Sequence, residues 1–115
     1  MSSPTLSQKL TAEVIGTAIL VFIGAGSVPL TVFLTAGAGG TGIDGTAGLS
    51  TISFSFAFAI FAAVYSIGHI SGCHINPAVT IALLATRKID GQTAVSYIGA
   101  QLVGGVVGAT LTWII

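Results

Sequence analysis

Charge is what this sequence has least of: three Lys/Arg and three Asp/Glu in 115 residues, with no net charge at neutral pH. So few charged groups cannot cover a water-facing surface, which excludes an ordinary soluble domain. The mean hydropathy of +1.03 agrees. A neutral balance offers no electrostatic footprint for DNA or RNA, so no nucleic acid is expected as a partner. There is one cysteine, Cys73, which excludes an intramolecular disulfide and a multi-thiolate metal site within the chain. The glycines lie inside apolar stretches or between Gly37 and Gly48 and form no nucleotide-binding fingerprint.

What remains is long apolar runs. No charge lies between Glu13 and Asp44, between Asp44 and Arg87, or after Asp90. Each gap holds a stretch of about 20 apolar residues or more, enough to cross roughly 30 Å of hydrocarbon as a helix. Three spans are predicted, at about 14–36, 49–68 and 94–115. The first could be mistaken for a signal peptide, because small residues follow Ile23. It runs on through Val28-Pro29-Leu30 to Leu34, beyond a short secretory core, and is read as a retained span.

If the chain crosses at each span, Lys9 and Arg87-Lys88 fall on one side, and the glycine-rich loop carrying Asp44 falls on the other. The positive-inside rule then sets the N-terminus in the cytoplasm and the C-terminal residue outside, in a multi-pass protein of the cell membrane.

The stretch 69–86 does not fit a simple three-span chain. It is largely apolar, yet from Pro77 to Thr86 it is only about 15 Å long as a helix, half a bilayer. A re-entrant segment resolves this: non-helical backbone dips in, and a half-helix returns to Arg87-Lys88. Asn76 is a favoured N-cap, Pro77 suits the first helical position, and the two cations suit the negative end of the helix dipole. Gly72 helps the backbone turn before it. Such backbone is tolerated at membrane depth only where protein buries it or where it lines a watery cavity. The positive end of a half-helix near mid-membrane also disfavours cations.

The segment His69-Ile70-Ser71-Gly72-Cys73-His74-Ile75-Asn76-Pro77-Ala78-Val79-Thr80 resembles the first signature loop of the aquaporin and glycerol-facilitator family, with wording similar to archaeal members. Ala12-Glu13-Val14-Ile15-Gly16-Thr17, Phe56, and Ala100-Gln101 with Gly104 resemble the family at matching places. The resemblance covers essentially the whole chain but only the first half of the family pattern. It implies an all-α membrane protein: an aquaporin-like half with three transmembrane helices and one re-entrant half-helix, the first of two inverted repeats, over residues 1–115.

The resemblance also implies roles. Asn76 presents its amide at the pore centre, with Pro77 and Ala78 holding the start of the half-helix. Gly72, Cys73, His74 and Ile75 line the vestibule with backbone carbonyls. Phe56 is one wall of the outer constriction. Glu13 and Gln101 brace the loop, and His74 packs it against the helices. The expected activity is passive passage of water, extending to small uncharged solutes such as glycerol, with ions and protons excluded at Asn76-Pro77-Ala78. The resemblance implies no enzyme chemistry, no catalytic residue, no metal and no cofactor, with the lipid bilayer as surroundings and a homotetramer at full length.

Physical reasoning reaches some of these residues unaided. A carboxyl or amide in an apolar run is costly without polar partners; a re-entrant backbone would supply them to Glu13 and Gln101, as would the membrane interface for Glu13 and an ordinary interhelical hydrogen bond for Gln101. Phe56 sits among Phe54, Phe58 and Phe61 and without the resemblance reads as lipid-facing or core. His69, Cys73 and His74 suggest metal ligation, but adjacent residues of an extended loop point apart and no second cluster completes a site. Ala100, Gly104 and Gly108 form a small-residue face every four residues, and Ala12 with Gly16 a shorter one. Pro29 is expected to kink the first helix near its outer end.

No second Asn-Pro-Ala occurs in the sequence, so a complete pore needs a second repeat. Two readings stay open: a piece of a longer chain, or a half-unit that pairs with another chain. A non-conducting membrane fragment is the alternative function.

Overall fold

A computed structural model describes residues 3–39 and 45–115. The tip of the expected glycine-rich loop, with Asp44, lies outside the described residues. The regular elements among the described residues are all helical: α1 (Leu6–Ile19), a π-helical segment (Leu20–Ala25), α2 (Ser27–Gly37), α3 (Thr46–Ser71), the short α4 (Pro77–Ala85) and α5 (Gly91–Ile114). Three continuous helical runs, Leu6–Gly37, Thr46–Ser71 and Gly91–Ile114, are long and apolar enough to cross a membrane. This is an all-α fold with three membrane-spanning helices and a half-length fourth.

The first run starts at Leu6 rather than near residue 14 because a capping box sets it. The Thr5 hydroxyl accepts the Gln8 amide at 3.3 Å, and the Gln8 side chain accepts the Thr5 amide at 2.8 Å. Likewise α5 starts at Gly91, not Ala94, because Asp90 caps it by accepting the Thr93 amide at 2.9 Å.

The irregularity expected at Pro29 appears about one turn earlier, at Leu20–Ala25. Proline has no N–H for the carbonyl four residues back, that of Ala25, which is the last residue of the widened segment. The Gly26 amide accordingly bonds to the Val21 carbonyl, five residues back, at 3.0 Å. Ser27 donates its hydroxyl to the Gly24 carbonyl at 2.6 Å. The widened turn leaves room for no side chain at Gly26, where a Cβ would strike the Phe22 carbonyl oxygen.

Packing joins α5 to α1 most closely. A Cβ on Gly104 would collide with the Val14 carbonyl oxygen, and one on Gly108 with that of Ala18, so these helices touch backbone to backbone. Gly16 faces the other way and receives the side chains of Ile67 and Ile75. Ala12 and Ala100 are buried in the same layer. Apart from Ile75 and Tyr97, the buried residues are small or polar, while Phe33, Phe58, Trp113 and many other large apolar residues are exposed. That is the reverse of a water-soluble core and suits a hydrocarbon surround.

Candidate functional site

Three turns of sequence chemistry build the loop between α3 and α4. Gly72 ends α3 in the left-handed region at φ +86°, with its amide still bonded to the Gly68 carbonyl at 2.9 Å. Cys73 and Ile75 also have positive φ, +51° and +43°. For a β-branched residue such as Ile75 this is a rare conformation that its surroundings must enforce. Asn76 then returns to extended backbone and caps α4, its side-chain oxygen accepting the Ala78 amide at 2.8 Å, with Pro77 at the first helical position.

The enforcing group is Glu13 of α1, which is fully buried. One carboxylate oxygen accepts the His74 amide at 2.9 Å and the Ser71 hydroxyl at 2.6 Å. The other accepts the Ile75 amide at 2.7 Å and the Gln101 side-chain amide at 2.8 Å. The Cys73 amide is directed inward as well, to the Ser71 hydroxyl at 3.1 Å. Gln101 bonds onward to Thr80 at 2.9 Å, and Thr80 meets His74 Nδ1 at 3.1 Å. These two acceptors assign the nitrogen end of the Gln101 amide; its oxygen is buried with no hydrogen-bond partner among the described residues, as is the Thr17 hydroxyl.

Peptide planarity turns these inward bonds into an outward array. In a trans peptide the N–H of one residue points opposite to the carbonyl of the residue before it. With the Cys73, His74 and Ile75 amides held toward Ser71 and Glu13, the Gly72, Cys73 and His74 carbonyls are turned away from them. None of these carbonyls, nor that of Ile75, accepts a hydrogen bond from the described residues. The side chains of His74 and Ile75 are buried behind the loop, while Asn76 is exposed at the positive end of α4.

Residues without an expected role complete the network. Tyr97, buried on α5, donates its hydroxyl to the Ser71 carbonyl at 2.8 Å and meets the His74 ring edge-on at 5.0 Å. Thr80 links Gln101 to His74, and Ser71 supports both Glu13 and Cys73. Helical spacing held the available signal, because Tyr97 precedes Gln101 by four residues on one face of α5, and Thr80 follows Asn76 by four. Phe56 is not part of this cluster. It lies sixteen residues before Gly72 on α3, about 24 Å along the helix. Its ring is half-buried against Gly24 of the π-helical segment, where an added Cβ would come within 2.7 Å.

Comparison with known proteins agrees with this architecture. The family model described as Major intrinsic protein matches residues 1–115. The chain belongs to the major intrinsic protein family. It is 45% identical over 115 residues to a probable aquaporin AqpM of Archaeoglobus fulgidus, a match covering 93% of this chain and 47% of that protein. It is 46% identical over 115 residues to aquaporin AqpM of Methanothermobacter marburgensis, covering 91% of this chain and 46% of the relative. Aquaporin Z of Bradyrhizobium diazoefficiens is 41% identical over 108 residues, covering 94% and 42%. The chain thus spans about half the length of the curated relatives it matches. Membership in this family, whose proteins are channels and not enzymes, makes the chain a multi-pass membrane protein.

Proposed function

We propose that this chain supplies the first-repeat half of a passive pore for water and small uncharged solutes such as glycerol. The observation that carries the reading is the Glu13 clamp. Glu13 draws the His74 and Ile75 amides inward, and Ser71, itself bonded to Glu13, draws in that of Cys73, which leaves a run of carbonyls facing outward next to the Asn76 amide. Carbonyls in a row replace the hydrogen bonds a water molecule gives up on entering a narrow passage. Asn76 offers the complementary donor, since its oxygen is occupied by the Ala78 amide and its NH2 group is not. The positive end of α4 at this point opposes entry of cations and protons.

In this reading Pro77 and Ala78 hold the tip of α4 against a corresponding half-helix of a second repeat, and Phe56 forms part of the outer constriction. The N-terminus is cytoplasmic, the C-terminal residue of the chain is outside, and the complete channel is a homotetramer. A second repeat, in the same or another chain, closes the pore around the exposed side of the loop. A second reading, a non-conducting membrane half-unit, draws on that same exposure: Asn76 and Ala78 are both exposed.

Light scattering of osmotically shocked proteoliposomes separates the two. The chain co-reconstituted with a second half taken from a relative is expected to raise water flux well above empty liposomes, and Asn76→Leu to reduce it. Flux equal to empty liposomes, both alone and with the second half, would sink the pore reading. Mercurial treatment adds a check on the loop, with Cys73 modification expected to slow flux and Cys73→Ser to remove that sensitivity.

A further inference from the structure

Every Lys and Arg of the chain lines one cavity. Lys9 comes from α1, Arg87 and Lys88 from the turn after α4, and they share a polar basin of about 550 Å³ with Ser71, Asp90 and Tyr97. The basin opens at the end of the bundle where α1 begins, α3 ends and α5 begins. None of the three cations forms an ion pair with a described residue. Asp90 is engaged elsewhere, since its two oxygens accept the Thr93 amide at 2.9 Å and the Thr93 hydroxyl at 2.6 Å. Three cations and one carboxylate leave the basin with an excess of two positive charges.

Helix electrostatics explain only part of this grouping. Arg87 and Lys88 follow the C-terminus of α4, where cations are favoured, but Lys9 lies near the positive N-terminal end of α1, where they are not. Arg87 also sits at φ +58°, in a turn closed by Arg87 N–H to the Leu84 carbonyl and Lys88 N–H to the Leu83 carbonyl, both at 2.9 Å. Glycine usually occupies that position. The turn places two consecutive cations on the lining of the cavity that Lys9 also lines.

We propose that this basin is a binding site for the phosphate of an anionic phospholipid headgroup. Its chemistry fits a phosphate: three cationic donors, one from α1 and two from the turn after α4, and an uncommitted positive charge. Its place fits a lipid source over a free ion, because the ends of the spanning helices stand at headgroup level. The proposal is independent of whether the chain conducts.

The test reconstitutes the full chain in bilayers of phosphatidylcholine and phosphatidylglycerol in equal amounts, then counts lipids retained through mild detergent by native mass spectrometry. Phosphatidylglycerol is expected to be retained preferentially. Lys9→Gln alone should weaken that retention about fivefold, and Lys9→Gln/Arg87→Asn/Lys88→Gln on the order of 100-fold, following the contribution of each cation near a membrane surface. Asparagine tolerates the left-handed backbone at position 87, and Lys9→Arg, with the charge kept, should retain the lipid. Adding Ser50→Lys and Thr51→Lys at the opposite end of α3 should not restore retention lost by the triple variant. Equal retention of both lipids, or full recovery by the relocated lysines, overturns the site. Displacement of phosphatidylglycerol by millimolar inorganic phosphate, with binding of that phosphate in lipid-free micelles at the same strength, overturns the lipid as its occupant.

Discussion

Replacing Glu13 with alanine tests the clamp directly. The substitution removes the acceptor for the His74 and Ile75 amides, the Ser71 hydroxyl and the Gln101 side-chain amide. The two side chains have alternatives. Ser71 can turn its hydroxyl to a carbonyl one turn back in α3, and Gln101 keeps its bond to Thr80 at 2.9 Å. The two backbone amides do not, because rotating them means rebuilding the loop. An unsatisfied buried donor costs about 1–3 kcal/mol, so the amides alone set an expected destabilisation of about 2–6 kcal/mol. The left-handed conformations at Cys73 and Ile75 lose their support at the same time, so the loop is expected to open rather than stay strained. Glutamine is a poor rescue, since one of its two ends would present N–H to a loop amide. Thermal unfolding in detergent, followed by circular dichroism, measures the loss; hydrogen exchange over residues 72–76 measures the opening. Unfolding within about 0.5 kcal/mol of wild type, with loop amides still protected, would refute the clamp.

Three further outcomes are expected. Gly104→Ala should destabilise by about 1–3 kcal/mol through collision with α1, whereas Gly105→Ala, with nothing within 4 Å, should be neutral or gain about 0.5–1 kcal/mol; equal effects in a melting comparison would count against the close contact. Arg87→Gly should stabilise by roughly 0.5–1 kcal/mol, because glycine adopts φ +58° without strain, and a loss of stability would contradict this. The Thr93 hydroxyl and amide hold the Asp90 carboxyl below its ordinary value of 3.8, so its capping contribution is full above that value and fades as the pH falls through the lower folded value. Asp90→Asn keeps a cap without a titrating group, so the difference in melting temperature between wild type and this variant should shift over that acid range and stay flat above it.

Much of the architecture is legible because bilayers impose strong constraints on length and charge. The spacing of six charges marks three apolar runs, and Asn76-Pro77 with Arg87-Lys88 marks both ends of a helix too short to cross. Hydropathy does not see helix caps, so α1 and α5 begin earlier than the apolar runs do; the signals were Thr5 with Gln8, and Asp90 with Thr93. The π-helical segment is harder to read. It ends four residues before Pro29, and the Phe56 ring of α3 packs beside its Gly24, a contact between helices that the sequence does not display. Within the site, Glu13 and Gln101 stand out in sequence as polar groups stranded in apolar surroundings. That they meet at 2.8 Å, with Tyr97, Ser71 and Thr80 around them, is tertiary information that no spacing along one helix contains.

The distribution of polarity explains why one carboxylate has so much structural leverage. Apolar burial drives little association between helices whose alternative surroundings are lipid tails, so close backbone contact and interhelical hydrogen bonds must do it. Gly104 and Gly108 provide the first along α1 and α5. The second converges on Glu13, which reaches Ser71 at the end of α3, the loop before α4, and Gln101 on α5. Gln101 extends the connection to Thr80 on α4. Thus the group that orients the loop carbonyls also holds the helices together. A substitution there cannot alter the loop's chemistry while sparing the fold. Changes confined to Asn76, whose exposed amide supports only its own helix start, can separate the two.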